Sequence, residues 1–176
     1  NAARIMVLLE RIDDEQQLTE VVASLLTYLP ANARASALDL VKPIDSFTLL
    51  TGFICSPHCI PMEWILSISD LCRDDTLTDD WIYTLVHSYA PILDVETKIT
   101  LVEEIYTSSQ QSSLIGSPTL AAIAALGPYA DENDKIKRES LIKKVLSFDY
   151  YSYESLKYLE KIIKYASSEL LDHLAV

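Results

Sequence analysis

Glycine is almost missing from this chain: its 176 residues contain only Gly52, Gly116 and Gly127, where ordinary usage of ~7 % would supply about a dozen. A backbone with so few positions free to turn left-handed must be punctuated by other residues. Phosphate-cradling loops, the GxGxxG turn of dinucleotide sites and the GxSxG turn that exposes a nucleophilic serine each need two or three glycines in close register. None of these patterns can be built here, so the common nucleotide enzymes are excluded.

What remains is a nearly continuous run of helical spacing. Leu18, Val21, Val22, Leu25 and Leu29 form one apolar stripe, and Ile82, Leu85, Val86 and Tyr89 a second. Val95, Ile99, Val102 and Tyr106 form a third, and Leu156, Leu159, Ile163, Ala166, Leu170 and Leu174 a fourth. No stretch alternates with period two. Residues able to accept from free first-turn amides mark the starts: Asp13 or Asp14, Thr76, Asp94, Asp131, and Ser117 before Pro118. The spacing predicts helices over about 2–12, 15–29, 32–42, 45–55, 61–73, 78–90, 95–108, 118–126, 132–147 and 153–174. Leu120–Leu126, with four alanines, reads as the central packing helix of the C-terminal half.

Two architectures suit ten such helices: a non-repetitive globular bundle, or antiparallel helix pairs stacked as a short α-solenoid. Aligning 14–41 with 75–102 places Tyr28-Leu29-Pro30 on Tyr89-Ala90-Pro91, Leu40-Val41 on Leu101-Val102 and Asp14 on Asp75. Pro30, Pro61 and Pro91 are nearly evenly spaced, which suits two-helix units of ~30–40 residues. Tyr28-x-Pro30 and Tyr89-x-Pro91 with the helices that follow them, and Gly127-Pro128-Tyr129 before the 132–147 helix, resemble the HEAT/armadillo group of helical repeat proteins at the level of fold. The resemblance implies a scaffold that offers an extended surface to a protein partner. The expected organisation is one all-helical domain over 1–176, with sub-halves 1–108 and 117–176 joined by the polar stretch 107–117.

Charge narrows the partners. The chain carries 26 acidic against 14 basic side chains, a net charge of −12, split as about −8 on 1–88 and −4 on 89–176. Such a field repels a nucleic-acid backbone. With 49 % hydrophobic and 23 % charged residues the composition is that of a folding chain, and no apolar run approaches the ~20 residues of a membrane span. Asn1, which is not a start methionine, suggests an excised or processed segment. Three cysteines in this length are ordinary intracellular usage, cytoplasmic or nuclear.

Several constellations invite chemistry. Cys55, His58 and Cys59 cluster, with Cys72 and His87 further on, but zinc wants a second ligand pair that is missing. Free thiols are the favoured reading over a Cys55–Cys59 disulfide. Asp70, Asp74, Asp75, Asp79 and Asp80 crowd around Arg73, yet no calcium loop is in register. They read as a solvated, helix-capping turn, or as a docking site for a basic peptide. Glu103 and Glu104 point about 100° apart on a helix and cannot share one proton. His58, His87 and His173 belong to no catalytic motif.

The C-terminal segment is the most distinctive, holding Tyr150, Tyr151, Tyr153, Tyr158 and Tyr165, with Lys157, Lys161 and Lys164 along one helical side. Tyrosine is enriched at interfaces because it offers rigid area and a hydroxyl together. The expectation is therefore a non-catalytic, all-α interaction or scaffold module with no catalytic residue, metal or cofactor. Its contact residues are Asp74, Asp75, Asp79, Asp80, Tyr150, Tyr151, Tyr153, Lys157, Lys161 and Lys164, meeting a protein partner such as a basic or helical segment. The alternative is a small acidic regulator that binds a basic protein.

Overall fold

Aspartates start four of the helices, and the sequence marks three of them. In the computed structural model, which describes residues 2–73, 77–110, 117–147 and 153–174, Asp14 accepts from Gln17 N at 2.6 Å and Asp94 from Thr97 N at 2.7 Å. Asp131 accepts from Asp134 N at 2.8 Å, and Asp45, which the sequence reading passes over, takes Phe47 N and Thr48 N at 3.0 Å each. The order is α1 (Ala2–Leu9), α2 (Glu15–Leu25), α3 (Ala31–Val41), α4 (Ser46–Gly52), α5 (Met62–Ile65), α6 (Ile68–Leu71), α7 (Asp79–Tyr89), α8 (Val95–Ser109), α9 (Ser117–Leu126), α10 (Glu132–Leu146), α11 (Tyr153–Ile163) and α12 (Ser168–Leu174). Short 3-10 turns cover Leu26–Tyr28, Pro57–Cys59 and Ala90–Ile92. Every regular element among the described residues is helical, as the apolar spacing predicts.

The chain divides into two compact units, Asn1–Ser67 and Ile68–Val176. The division falls earlier than the polar stretch, because α8 before that stretch and α9 after it pack on one another. In the first unit α1 lies on α3 and α2 on α4, with α2 also against α3. Val22, Ala37, Val41, Leu50, Phe53 and Ile65 are fully shielded. A Cβ on Gly52 would stand 2.4 Å from Thr19 Cγ2 and 2.7 Å from Thr19 Cβ, so α4 approaches α2 at a distance that only bare backbone allows.

The second unit is built around α9, which is buried along its whole length. Its alanines admit close neighbours, and α7, α8, α10 and α11 all pack against it. α6 also lies on α8, α8 on α10 and α10 on α12. Gly127, at φ +71°, ends α9 in the left-handed conformation. The loop that follows is pinned by the buried Arg138. Its Nε donates to Asp134 Oδ1 at 2.7 Å, Nη1 to Gly127 O at 2.8 Å and Nη2 to Pro128 O at 3.1 Å, while Nη2 also pairs with Asp134 Oδ2. A charge out of water is tolerated when its donors are satisfied in this way.

Four expectations are corrected. The helix expected over 61–73 breaks into α5 and α6, because Ser67 N and Oγ both donate to Trp64 O, at 3.1 and 2.5 Å, and close a tight turn. The helix expected over 153–174 breaks between α11 and α12. There Glu139 captures Ser167 N at 2.8 Å and Ser167 Oγ at 2.6 Å, and that hydroxyl in turn accepts from Leu170 N at 3.1 Å as the cap of α12. The buried side of α11 is Ser155, Tyr158, Leu159 and Ile162, whereas Leu156 and Ile163 of the expected stripe are 54 % and 46 % exposed. Finally, Ser117 does not cap α9 with its hydroxyl; it donates to the carboxylate of Asp79.

The internal correspondence also changes register. Shifted by 64 residues, Glu15–Leu25 falls on Asp79–Tyr89, the turn Leu26–Tyr28 on Ala90–Ile92, and the start of α3 at Ala31 on the start of α8 at Val95. Val22 and Val86, Leu26 and Ala90, Leu29 and Leu93, Ala37 and Leu101, and Val41 and Ile105 then coincide, and all ten are buried. The two Tyr-x-Pro corners differ in setting: Tyr28 is 84 % exposed and Tyr89 fully buried, and Pro30 precedes α3 while Pro91 lies inside a 3-10 turn.

Candidate functional site

The two sequence regions singled out for partner contact meet in the second unit. α7 and α11 both flank α9, and side chains from the two reach each other. Asp80, in the first turn of α7, accepts from Lys157 Nζ at 2.5 Å and from Tyr158 OH at 2.8 Å, both on Oδ1. The Lys157 hydrogen bond, with that of Tyr158, holds the Asp80 carboxyl below the ordinary carboxylate range.

One turn further along, Tyr83 stacks on Tyr158 with centroids 5.8 Å apart and on His87 at 5.7 Å. The Lys161 ammonium sits 3.7 Å from the centre of the Tyr83 ring, and Lys157 lies 5.0 Å from that of Tyr158. Ring faces are negative, so the Tyr83 ring attracts the Lys161 ammonium, while Lys157 is held by both Asp80 and the Tyr158 ring. His87 Nδ1 donates to Ala125 O at 3.2 Å and Tyr165 OH to Ile123 O at 3.1 Å. Last-turn carbonyls of α9 thus receive donors from both sides. The result is a ladder of acid, lysine and aromatic side chains bridging α7 and α11, with the exposed Trp81 and Leu156 next in sequence to its Asp80–Lys157 rung.

The expected contact residues have different fates. Asp80, Lys157 and Lys161 join the ladder, and Lys164 is exposed just past α11. Asp79 is buried against Ser117 and serves the junction of α7 with α9. Tyr153 opens α11, while Asp74, Asp75, Tyr150 and Tyr151 lie outside the described residues. Sequence reasoning missed Tyr83 and the role of His87. Their i, i+4 spacing on α7, off the buried Ile82–Val86 stripe, was the available signal.

No family model, curated protein or solved structure matches the chain. The ladder's own chemistry therefore carries the reading of the face.

Elsewhere, Cys55 is exposed, Cys59 partly buried and Cys72 buried, all as free thiols. Burial pushes the Cys72 thiol up to about 12, with Asp79 and Asp70 adding to the rise, and it raises Cys59 against the opposing pull of Arg34. A thiol held protonated in this way is a poor nucleophile and a poor metal ligand. Among the described residues no group of three or more His, Cys, Asp or Glu side chains is placed to hold a metal ion, and no helix is long and apolar enough to cross a membrane.

Proposed function

We propose that the chain is a non-catalytic, helical protein-interaction module, akin in plan to HEAT/armadillo stacks, which presents the α7–α11 ladder to a protein partner. Support for the plan comes from the packing. The main contacts of each helix are with the next helix and the next but one, giving rows α1·α3 and α2·α4 in the first unit, and α6·α8·α10·α12 and α7·α9·α11 in the second. Stacked helix pairs pack in this near-neighbour way.

The single observation that carries the choice of face is Lys161 seated on Tyr83. A long cationic side chain fixed over an aromatic gives up less rotamer freedom when it meets a partner. Trp81 and Leu156 supply exposed apolar area nearby, the composition of a contact core. The acidic-regulator alternative draws less support, because Asp79 is buried and Asp80 is engaged by Lys157.

The test is affinity capture with wild type and with the Lys161→Glu and Trp81→Ala variants, each checked for unchanged helicity. Recovery of one stoichiometric protein that both variants lose supports the reading. Recovery of the same proteins by all three forms refutes it.

A further inference from the structure

Two surfaces that share no residue with the ladder carry matching patterns of opposite charge. Arg4, Val7, Leu8 and Arg11 are all exposed and line one shallow apolar cleft on the side of α1, with Val7 48 % and Leu8 61 % exposed. No acidic residue lies in α1. In the second unit a cleft on α8 is lined by Glu96, Ile99, Thr100 and Glu103, with Asp131 and Lys137 at its side. The sequence spacing i, i+3, i+4, i+7 is the same in both: charge, two central residues, charge, with Arg11 in the turn that closes α1.

We propose that α1 of one copy of the chain docks on the α8 cleft of a second copy, Arg4 and Arg11 meeting Glu96 and Glu103 while Val7 and Leu8 cover Ile99 and Thr100. Glu96 and Glu103 lie ~10.5 Å apart along α8, and the long Arg11 side chain, from the turn that closes α1, reaches the second carboxylate while Arg4 meets the first. The cleft holds three carboxylates, Glu96, Glu103 and Asp131, against one lysine, leaving an excess that two arginines balance. Lys137 already lies 3.6 Å from Glu103, with both side chains about half exposed. Such a surface pair is weak, and an arginine fork competes with it on favourable terms. The net charge of −12 opposes casual contact between copies, and α1 locally reverses that repulsion. Because the two patches differ, each docked pair still offers one free α1 and one free cleft, so association continues into a ring or a filament.

Sedimentation velocity of the full chain over rising concentration tests this, with three forms compared: wild type, Arg4→Glu/Arg11→Glu and Glu96→Arg/Glu103→Arg. The substituted positions are all exposed, and circular dichroism checks that each form keeps its helicity. The expected result is wild-type mass growing past the dimer, each double variant remaining monomeric alone, and an equimolar mixture of the two variants associating again, since each supplies the patch the other lacks. Wild type that stays monomeric overturns the proposal. So do variants that associate as wild type does, or a mixture that stays monomeric.

Discussion

At the scale of single residues, the second unit leans on Arg138, whose buried guanidinium donates four hydrogen bonds, to Asp134 and two loop carbonyls. Removing it strands a buried carboxylate and two acceptors, so Arg138→Ala is expected to lower unfolding free energy by about 3–5 kcal/mol in denaturant titration. A loss below about 1 kcal/mol would contradict the assigned network. Gly127 has open space around a would-be Cβ but a positive φ. Gly127→Ala should therefore cost only the backbone term, about 1–2 kcal/mol, and Gly127→Asn less. The capping carboxyls set the acid response. Backbone N–H donation from Thr48 holds Asp45, and from Thr97 holds Asp94, below the ordinary carboxylate range. A carboxyl depressed in the fold stabilises it fully above its unfolded value, and that contribution disappears as pH falls through the lower folded value. Thermal midpoints should thus decline on acidification below ~pH 4. The Asp45→Asn/Asp94→Asn form keeps caps that do not titrate and should show a shallower decline. An identical slope in both forms would remove the caps from the explanation.

At the scale of elements, crossings and breaks decide the architecture. Adding a methyl at Gly52 drives it into Thr19, so Gly52→Ala should destabilise the first unit by about 1–3 kcal/mol. Thr19→Ala should rescue it only in part, because the Thr19 Cβ is itself within 2.7 Å. Glu139 holds the start of α12 through Ser167. Glu139→Ala should accelerate amide exchange in α12 while α9 stays protected, whereas uniform acceleration through the unit would argue for general loosening instead. Much of this level was legible in the sequence. The α9 helix announced itself by Ser117-Pro118 and its alanines, and α7, α8 and α10 by stripes and caps. What was not legible came from distant partners. Glu139 breaks a helix 28 residues away, though Ser167-Ser168-Glu169 carried a usable start signal. The true buried side of α11 includes Tyr158, whose hydroxyl finds Asp80 across 78 positions. A leucine count alone favours the wrong side.

At the scale of the whole molecule, near-neighbour packing explains why so little glycine suffices. Aspartate caps, prolines and 3-10 turns redirect the chain between helices that pack mainly on the next one or two, so tight glycine turns are needed rarely. The 64-residue correspondence was hidden because it is written in element lengths and burial, not in identities. The candidate face was half visible: Lys157 and Lys161 were marked by the sequence, while the pairing with Asp80 and Tyr83 depends on α9 holding two helices side by side. Hydrogen–deuterium exchange of the chain with its captured partner tests that face most directly. Added protection concentrated in α7 and α11, and absent when Lys161→Glu is used, is the expected result. Protection that leaves α7 and α11 unchanged, or that survives the Lys161→Glu substitution, would contradict it.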